Sequence, residues 1–417
     1  MLRIKTKIRE KAIELKNILR QTDLKRYEAL LESDMEDGLL RVRITNKCPG
    51  KCRYCGLLSW SEEERRQSMD SKWLYNYLEP LYEKVDEILI TGGDPFVAPE
   101  SYNYMRFLSE NYPQTTIITE SNGLPFGEKF QQLAADNLFL THFSLNASNE
   151  DVFCRGCWPG EEGRTAYRKI MRNITDYIEM LDKNGLMDFA PDYSMVINKD
   201  TADDVADFVA KVLQLGCVSI NMYFDYTESS MSDDYFGEPD TSRRALITLL
   251  ELEILLKNKI HLGFRLWVPL KELELAEKNG YEHDVAVLEK KYETIHKLSQ
   301  SRSIIEEHNR RNMIRRERGK RALFLEKEIS PTLRKTDIDG KRVCFAPWKE
   351  VDIYPSGRID FCGWISETLN IRDFIYGEEV DWERLLNSPE YKAGRKGVLE
   401  DKYSGCMECC PMISRGE

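Results

Sequence analysis

Short apolar runs rich in Val, Ile, Leu, Thr and Phe recur along the chain, each bounded by polar turns. LLRVRIT (39–45), DEILIT (86–91), TTIIT (115–119), LFLTHFSL (138–145), DYSMVI (192–197), CVSINMYF (217–224) and HLGFRLWV (261–268) predict seven strands. Between them lie amphipathic stretches such as SKWLYNYLEPLYEKV and TADDVADFVAKVLQLG, the second ending in a glycine suited to a helix C-terminus. Strand and helix alternating this often predict an α/β fold with a mostly parallel sheet and right-handed crossovers. In a barrel of that kind the chemistry sits at the C-terminal ends of the strands. Those ends are polar here: NKCPGKCRYCG (46–56), TGGDP (91–95), ESNG (120–123), SLNA (144–147) and NKD (198–200) follow the first five runs in order and converge on one mouth. GGDP alone is an ordinary turn; its place in this series gives it weight.

The pattern changes over residues 270–340 to a long, charged, helical stretch. Residues 286–335 hold 14 Lys or Arg against 7 Glu. A solvated helix face accounts for this; the sharper reading is a substrate-binding insertion in which Arg310, Arg311, Arg315, Arg316 and Arg318 meet phosphate or carboxylate groups. Residues 1–38 read as a helical segment, 39–269 as the barrel, 270–340 as a charged helical insertion or linker, and 341–417 as a separate cysteine-bearing module.

Composition narrows the function classes. A formal net charge of -11 discourages a sequence-independent nucleic-acid binder, and no apolar run is long enough for a membrane span or shaped like a signal peptide. The chain reads as cytoplasmic. Eleven cysteines in that compartment are better candidates for metal ligation or catalysis than for disulfides. Cys48, Cys52 and Cys55 lie together with no fourth cysteine nearby and no histidine before His142, so a closed zinc site lacks a ligand. Soft thiolates suit iron–sulfur clusters, and three of them on a four-iron cubane leave one iron open for reaction.

The CxxxCxxC spacing, with Tyr54 between the last two cysteines and its place after the first strand, resembles the motif of the radical S-adenosylmethionine (SAM) superfamily. The resemblance implies a partial (β/α)6 TIM-like barrel in which the open iron of a 4Fe–4S cluster chelates SAM and an electron splits it to a 5′-deoxyadenosyl radical, which takes hydrogen from an unactivated carbon. It covers residues 40–268, and the cysteine motif is its specific part. TGGDP looks like the family's glycine-rich motif, implying that Gly92, Gly93 and Asp94 hold the methionine amino group, with Asp in place of the usual Glu. ESNG and SLNA look like its ribose and carboxylate contacts, implying Ser121, Asn122, Ser144 and Asn146, with Tyr54 also at the cofactor. A flavodoxin or ferredoxin is the implied reductant.

Further cysteines stand in VCFAPWKEVDIYPSGRIDFCGW and GCMECCP. EVDIYPSGRIDF alternates around a Pro-Ser-Gly turn and predicts a hairpin that brings Cys344 and Cys362 to one end. With Cys406, Cys409 and Cys410, and with LNI at 369–371, the segment resembles the SPASM or twitch modules of the same superfamily; too few cysteines are present for the two clusters of a SPASM module proper. The match implies one auxiliary 4Fe–4S cluster on Cys344, Cys362, Cys406 and either Cys409 or Cys410, a zinc ribbon being the alternative. Cys154 and Cys157, in EDVFCRGCWPG, are either core residues or catalytic thiols, a redox pair or a hydrogen-atom donor. Three functions remain: oxidation of a small molecule through the auxiliary cluster; epimerisation, oxidation or cross-linking of a peptide; and electron carriage without catalysis. The first is preferred, because the residues before the first strand leave little room for the leader-binding domain of many peptide maturases.

Overall fold

In the computed structural model, residues 31–32, 38–217, 219–225, 239–265, 280–323, 336–338, 341–343, 346–360 and 369–400 are described. The expected N-terminal helical segment lies almost wholly outside them, as do Cys344, Cys362, Cys406, Cys409 and Cys410.

The seven predicted strands form at β1 (Gly38–Thr45), β2 (Val85–Gly92), β3 (Thr116–Ser121), β4 (Leu140–Ser144), β5 (Asp192–Ile197), β6 (Ser219–Phe224) and β7 (His261–Arg265). They pair in parallel and in sequence order, so each crossover returns the chain to the next place in the sheet. Among the described residues, helices α1 (Ser101–Asn111), α2 (Glu128–Asn137), α3 (Glu150–Gly156), α4 (Gly160–Lys183), α5 (Val205–Gln214) and α6 (Pro239–Leu256) fill the connections. The first crossover departs from expectation. The helix predicted over 71–85 is broken into a π-helical turn, Trp73–Tyr77, and a short helix, Glu79–Tyr82. Pro80 supplies the reason: it has no N–H to donate and its ring crowds the carbonyl one turn back.

Alternation along the strands separates two faces. Leu40, Val42 and Ile44 of β1 are fully buried with Ile88, Ile90, Met195 and Met222 in the main core, each worth on the order of 1.5–3 kcal/mol of apolar burial. Their neighbours Arg41 and Arg43 are half-buried on the opposite, concave face.

β8 (Thr336–Ile338) and β9 (Lys341–Val343) form a separate hairpin. The predicted hairpin around Pro355 forms as β10 (Glu350–Ile353) and β11 (Arg358–Asp360), with Gly357 at φ +86° in its turn. It does not stand apart. β10 pairs in parallel with β1, placing Leu39 beside Glu350 and Val42 beside Ile353, and β12 (Leu369–Asn370) pairs with β11. The barrel sheet thus runs on through the hairpin as a ten-stranded sheet, β12-β11-β10-β1-β2-β3-β4-β5-β6-β7. Asp352 of β10 accepts a bidentate pair from Arg43 at 2.7–3.1 Å, and Tyr354 lies between the Arg43 and Arg358 guanidiniums, 4.6 and 3.8 Å from its ring centre.

The charged segment forms α7 (Val285–Lys291), α8 (Glu293–Ser299) and α9 (Ile304–Glu317). Its contacts lie at the opposite end of the strands from the cysteine loop. Arg321 pairs with Asp86 at the start of β2, and buried Arg315 donates to Thr116 Oγ1 at the start of β3 (2.9 Å). Arg318 donates to the Asp136 carbonyl ahead of β4, and Arg310 and Arg311 hold Asp188 ahead of β5. Arg302 donates to the carbonyls of Leu213, Gly216 and Cys217 ahead of β6, closing the C-terminus of α5. Four of the five arginines singled out for anion binding therefore contact the floor of the barrel. Arg316 is exposed.

Candidate functional site

The cysteine loop leaves β1 at its C-terminal end. Two successive tight turns, Cys55 N to Cys52 O (3.1 Å) and Leu58 N to Cys55 O (3.0 Å), carry the second and third thiols. All three cysteines are half-buried. Cys48 Sγ accepts from the Gly50 N–H (3.3 Å) and from Asn122 Nδ2 (3.4 Å), an arrangement that favours a thiolate. Burial, and then the charge of Asp94, push the Cys48 thiol up to about 12, and burial raises Cys55. A cationic metal centre supplies what these sulfurs lack, and its binding must release their protons.

Among the described residues no three His, Cys, Asp or Glu side chains converge on a single-ion site. In a four-iron cubane each thiolate binds a different iron, so three cysteines need not converge on one ion. The donor set of three soft thiolates on one loop, with N–H groups aimed at sulfur, accommodates such a cluster.

The GGD turn after β2 is pressed against the loop. Gly93 N donates to Thr45 O (2.6 Å) and Asp94 N to Lys47 O (2.8 Å). A Cβ on Gly93 would lie 2.3 Å from Lys47 O and 2.6 Å from Asn46 O, and one on Gly92, at φ +136°, 2.1 Å from Thr45 O. Both positions need glycine because backbone meets backbone. With those N–H groups spent on the loop, only carbonyls of the turn can meet an ammonium, which offers donors alone.

Asp94 is fully buried and joins two strand ends. Its carboxylate accepts from Ser121 Oγ (2.8 Å), Asn122 N (3.0 Å) and Phe96 N (3.2 Å). Burial outweighs these bonds and raises its pKa to about 6. Ser121 and Asp94 therefore shape the mouth, and Asn122 faces Cys48. Asn146, at φ +65°, donates to Ser144 O (2.8 Å) and accepts from Val196 N (3.0 Å), stitching β4 to β5, while Ser144 Oγ meets Ser194 Oγ at 3.3 Å.

Cys154 and Cys157 separate. Cys154 is half-buried with Sγ 3.6 Å from Gly160 O. Cys157 is fully buried under the cysteine loop: its Sγ lies 3.4 Å from Cys52 Sγ and 3.1 Å from Tyr54 Oη, and its carbonyl accepts from Arg53 N at 3.0 Å. The end of β5 completes the clamp, with Asn198 donating to Gly156 O (2.9 Å) and Asp200 pairing with Arg53 (2.9 Å). Asp225, buried after β6, contributes negative charge near Tyr54, whose phenol is held well above its ordinary range by burial and then by Cys157 and Cys52.

Below this mouth the concave face carries polar residues that sequence reasoning did not select. In register they run from Arg43 through Thr91 and Glu120 to His142 and Asp192. Thr91 Oγ1 donates to Glu120 (3.2 Å). Burial works against the charges of Arg41 and Arg43, but Asp352, with Glu120 behind it, outweighs burial and raises both pKa values. Burial lowers His261, which Asp192 partly offsets. The signal was present in the period-two alternation of LLRVRIT and THFS, where polar side chains interrupt apolar ones.

The Radical SAM superfamily model matches residues 42–212. Among curated proteins, the GTP 3′,8-cyclase of Campylobacter curvus is 27% identical over 114 residues, 27% of this chain and 35% of that protein. The FeMo cofactor biosynthesis protein NifB of Chlorobaculum tepidum is 24% identical over 224 residues, 49% of this chain and 51% of that protein. The chain thus spans between about a third and a half of the length of these relatives. Among solved structures, Streptococcus suis SuiB bound to S-adenosylmethionine aligns with a TM-score of 0.51 at 13% identity, covering 91% of this chain and 72% of that one. Native anSMEcpe with bound AdoMet aligns with a TM-score of 0.52 at 15% identity, covering 91% of each. These structures share the fold, a partial barrel built on a parallel sheet, and the superfamily employs a 4Fe–4S cluster with SAM. Through residues 42–212, the chain is similar to the radical SAM superfamily.

Proposed function

We propose that Cys48, Cys52 and Cys55 hold the SAM-binding 4Fe–4S cluster, and that the enzyme removes a hydrogen atom from a C–H bond of a small polar molecule and oxidises the resulting radical through an auxiliary 4Fe–4S cluster on the C-terminal cysteines. The observation that carries this reading is the three-thiol loop at the mouth of the barrel, with the GGD turn pinned to its backbone, above a concave face lined with charge. When bound, the cluster and SAM supply the 5′-deoxyadenosyl radical. The chain itself orients: Gly92 and Gly93 let the turn approach the loop, Asp94 fixes the ends of β2 and β3, and Asn122 donates to Cys48. Arg41, Arg43, Glu120, His142 and Asp192 give the concave face groups that can hold hydroxyl, amine or carboxylate substituents and orient one C–H bond. Electrons would come from a flavodoxin or ferredoxin.

Anaerobically reconstituted protein, once reduced, should form 5′-deoxyadenosine from SAM, and Ala at Cys48, Cys52 or Cys55 should abolish it. Normal cleavage by any of these variants would remove the assignment.

A second reading, a peptide substrate, is supported by fold likeness extending beyond the barrel: SuiB bound to its precursor peptide SuiA aligns over 94% of this chain with a TM-score of 0.51. Product masses separate the two, since the first reading requires a small molecule lighter by two hydrogens.

A further inference from the structure

Cys157 is 105 residues from Cys52 in sequence, has no exposed surface, and places its sulfur 3.4 Å from the Cys52 sulfur. Four contacts hold it there. Arg53 N donates to its carbonyl, Tyr54 Oη donates to its sulfur at 3.1 Å, Asn198 fixes the preceding carbonyl, and Asp200 fixes Arg53. Gly156 is required in this packing, because a Cβ there would lie 2.2 Å from Thr201 Cγ2. This environment suits neither an idle core thiol nor a donor of hydrogen atoms to a substrate on the concave face. The thiol is oriented by one partner and aimed at another.

The direction of the hydrogen bonds follows from chemistry. Cys52, as a cluster ligand, is a thiolate and can only accept. Cys157 must then be the donor, with its S–H directed at Cys52 Sγ, while the Tyr54 phenol donates to the Cys157 sulfur. We propose that Cys157 is a positioning residue for the SAM-binding cluster: its thiol donates a hydrogen bond to the Cys52 thiolate, within a relay from Tyr54, and raises the reduction potential of the cluster. Reduction adds negative charge to cluster and ligands, so a donor at a ligand sulfur stabilises the reduced form more than the oxidised one. The relay spans α3 and the cysteine loop, elements that only the closed fold brings together. The inference rests on the assignment of Cys48, Cys52 and Cys55 as cluster ligands.

The test is a redox titration, followed by electron paramagnetic resonance, of the reduced-cluster signal that addition of SAM perturbs. That criterion separates it from any second cluster. Cys157→Ala should keep its iron content and circular dichroism but show a midpoint more negative than wild type. Cys157→Ser, which retains a donor, should return the midpoint toward wild type. An unchanged midpoint in folded, iron-replete Cys157→Ala overturns the proposal. So does loss of the SAM-responsive cluster from folded Cys157→Ala, which would make Cys157 a ligand. If no signal in the wild-type protein responds to SAM, the cluster assignment itself fails, and this inference with it.

Discussion

Asp94 carries a carboxylate with no exposed surface and three hydrogen-bond donors, yet burial dominates and its pKa rises to about 6. The folded-state value lies above the ~3.9 of an unfolded aspartate, so its stabilising contribution is whole below about pH 4 and is lost as pH rises through about 6. The shift amounts to about 3 kcal/mol at most. Asp94→Asn keeps an acceptor and does not titrate. Denaturant midpoints of the apo-protein should therefore show wild type losing stability relative to Asp94→Asn between about pH 4 and pH 7, and parallel profiles would show that the donors fully offset burial. Gly93 is a second single-residue constraint. Its added Cβ would strike the carbonyls of Lys47 and Asn46, which are backbone and cannot swing aside. Gly93→Ala should cost about 1–3 kcal/mol and, by displacing the cysteine loop, lower the iron bound on reconstitution; full iron incorporation would separate the turn from the cluster site. Both residues were selected from the sequence as cofactor contacts. The reason each is needed was not legible there, because Thr45, Lys47 and Ser121 approach only in the folded molecule.

Strand existence was readable from composition and short apolar runs, and the hairpin around Pro355 from its alternation and turn residues. Where an element's environment decided the outcome, the sequence misled. The 286–335 segment has the charge of an anion-binding surface, but Arg302, Arg310, Arg311, Arg315, Arg318 and Arg321 bind carbonyls, carboxylates and the Thr116 hydroxyl at the floor of the barrel. Arg302 is the clearest case, since one guanidinium donates to three carbonyls around the end of α5, one of which, Leu213, also accepts from Gly216 N. Arg302→Ala should lower stability by about 1–3 kcal/mol while leaving 5′-deoxyadenosine formation per folded molecule unchanged. A drop in SAM cleavage without a drop in stability would return this segment to the functional site.

Over the whole molecule, the hairpin does more than decorate the barrel. It extends the barrel's sheet past β1 and places Asp352 and Tyr354 against Arg43, on the same concave face as Glu120 and His142. Buried Arg395 adds a second tie, donating to the carbonyls of Pro347 (2.9 Å) and Leu31 (2.6 Å), and Trp382 donates to Tyr77 O at 2.7 Å. The chain leading into the C-terminal cysteines is thereby fixed to the barrel sheet. If those cysteines hold an auxiliary cluster, a variant with Ala at Cys48, Cys52 and Cys55 should retain about four irons per chain. Zinc in their place, or no metal, would leave the module a structural one and remove the electron acceptor from the proposed oxidation.

Spacing along the chain is a local property, and it carried the local facts: three thiols within eight residues, glycines and an aspartate after the second strand, strands alternating with helices. These were enough to indicate the class of fold, because each crossover needs its own helix, and to support the proposed cluster chemistry, because three soft thiolates stand on one loop. Contacts between distant segments are set by register and packing, which no short window encodes. The pairing of β10 with β1, the descent of the basic helices to the barrel floor, the polar band from Arg43 to Asp192, and the approach of Cys157 to Cys52 across 105 residues were decided by the tertiary structure alone. The physical reason is common to all four: a side chain's partners depend on which strands are neighbours, and that order exists only once the sheet has assembled on its core.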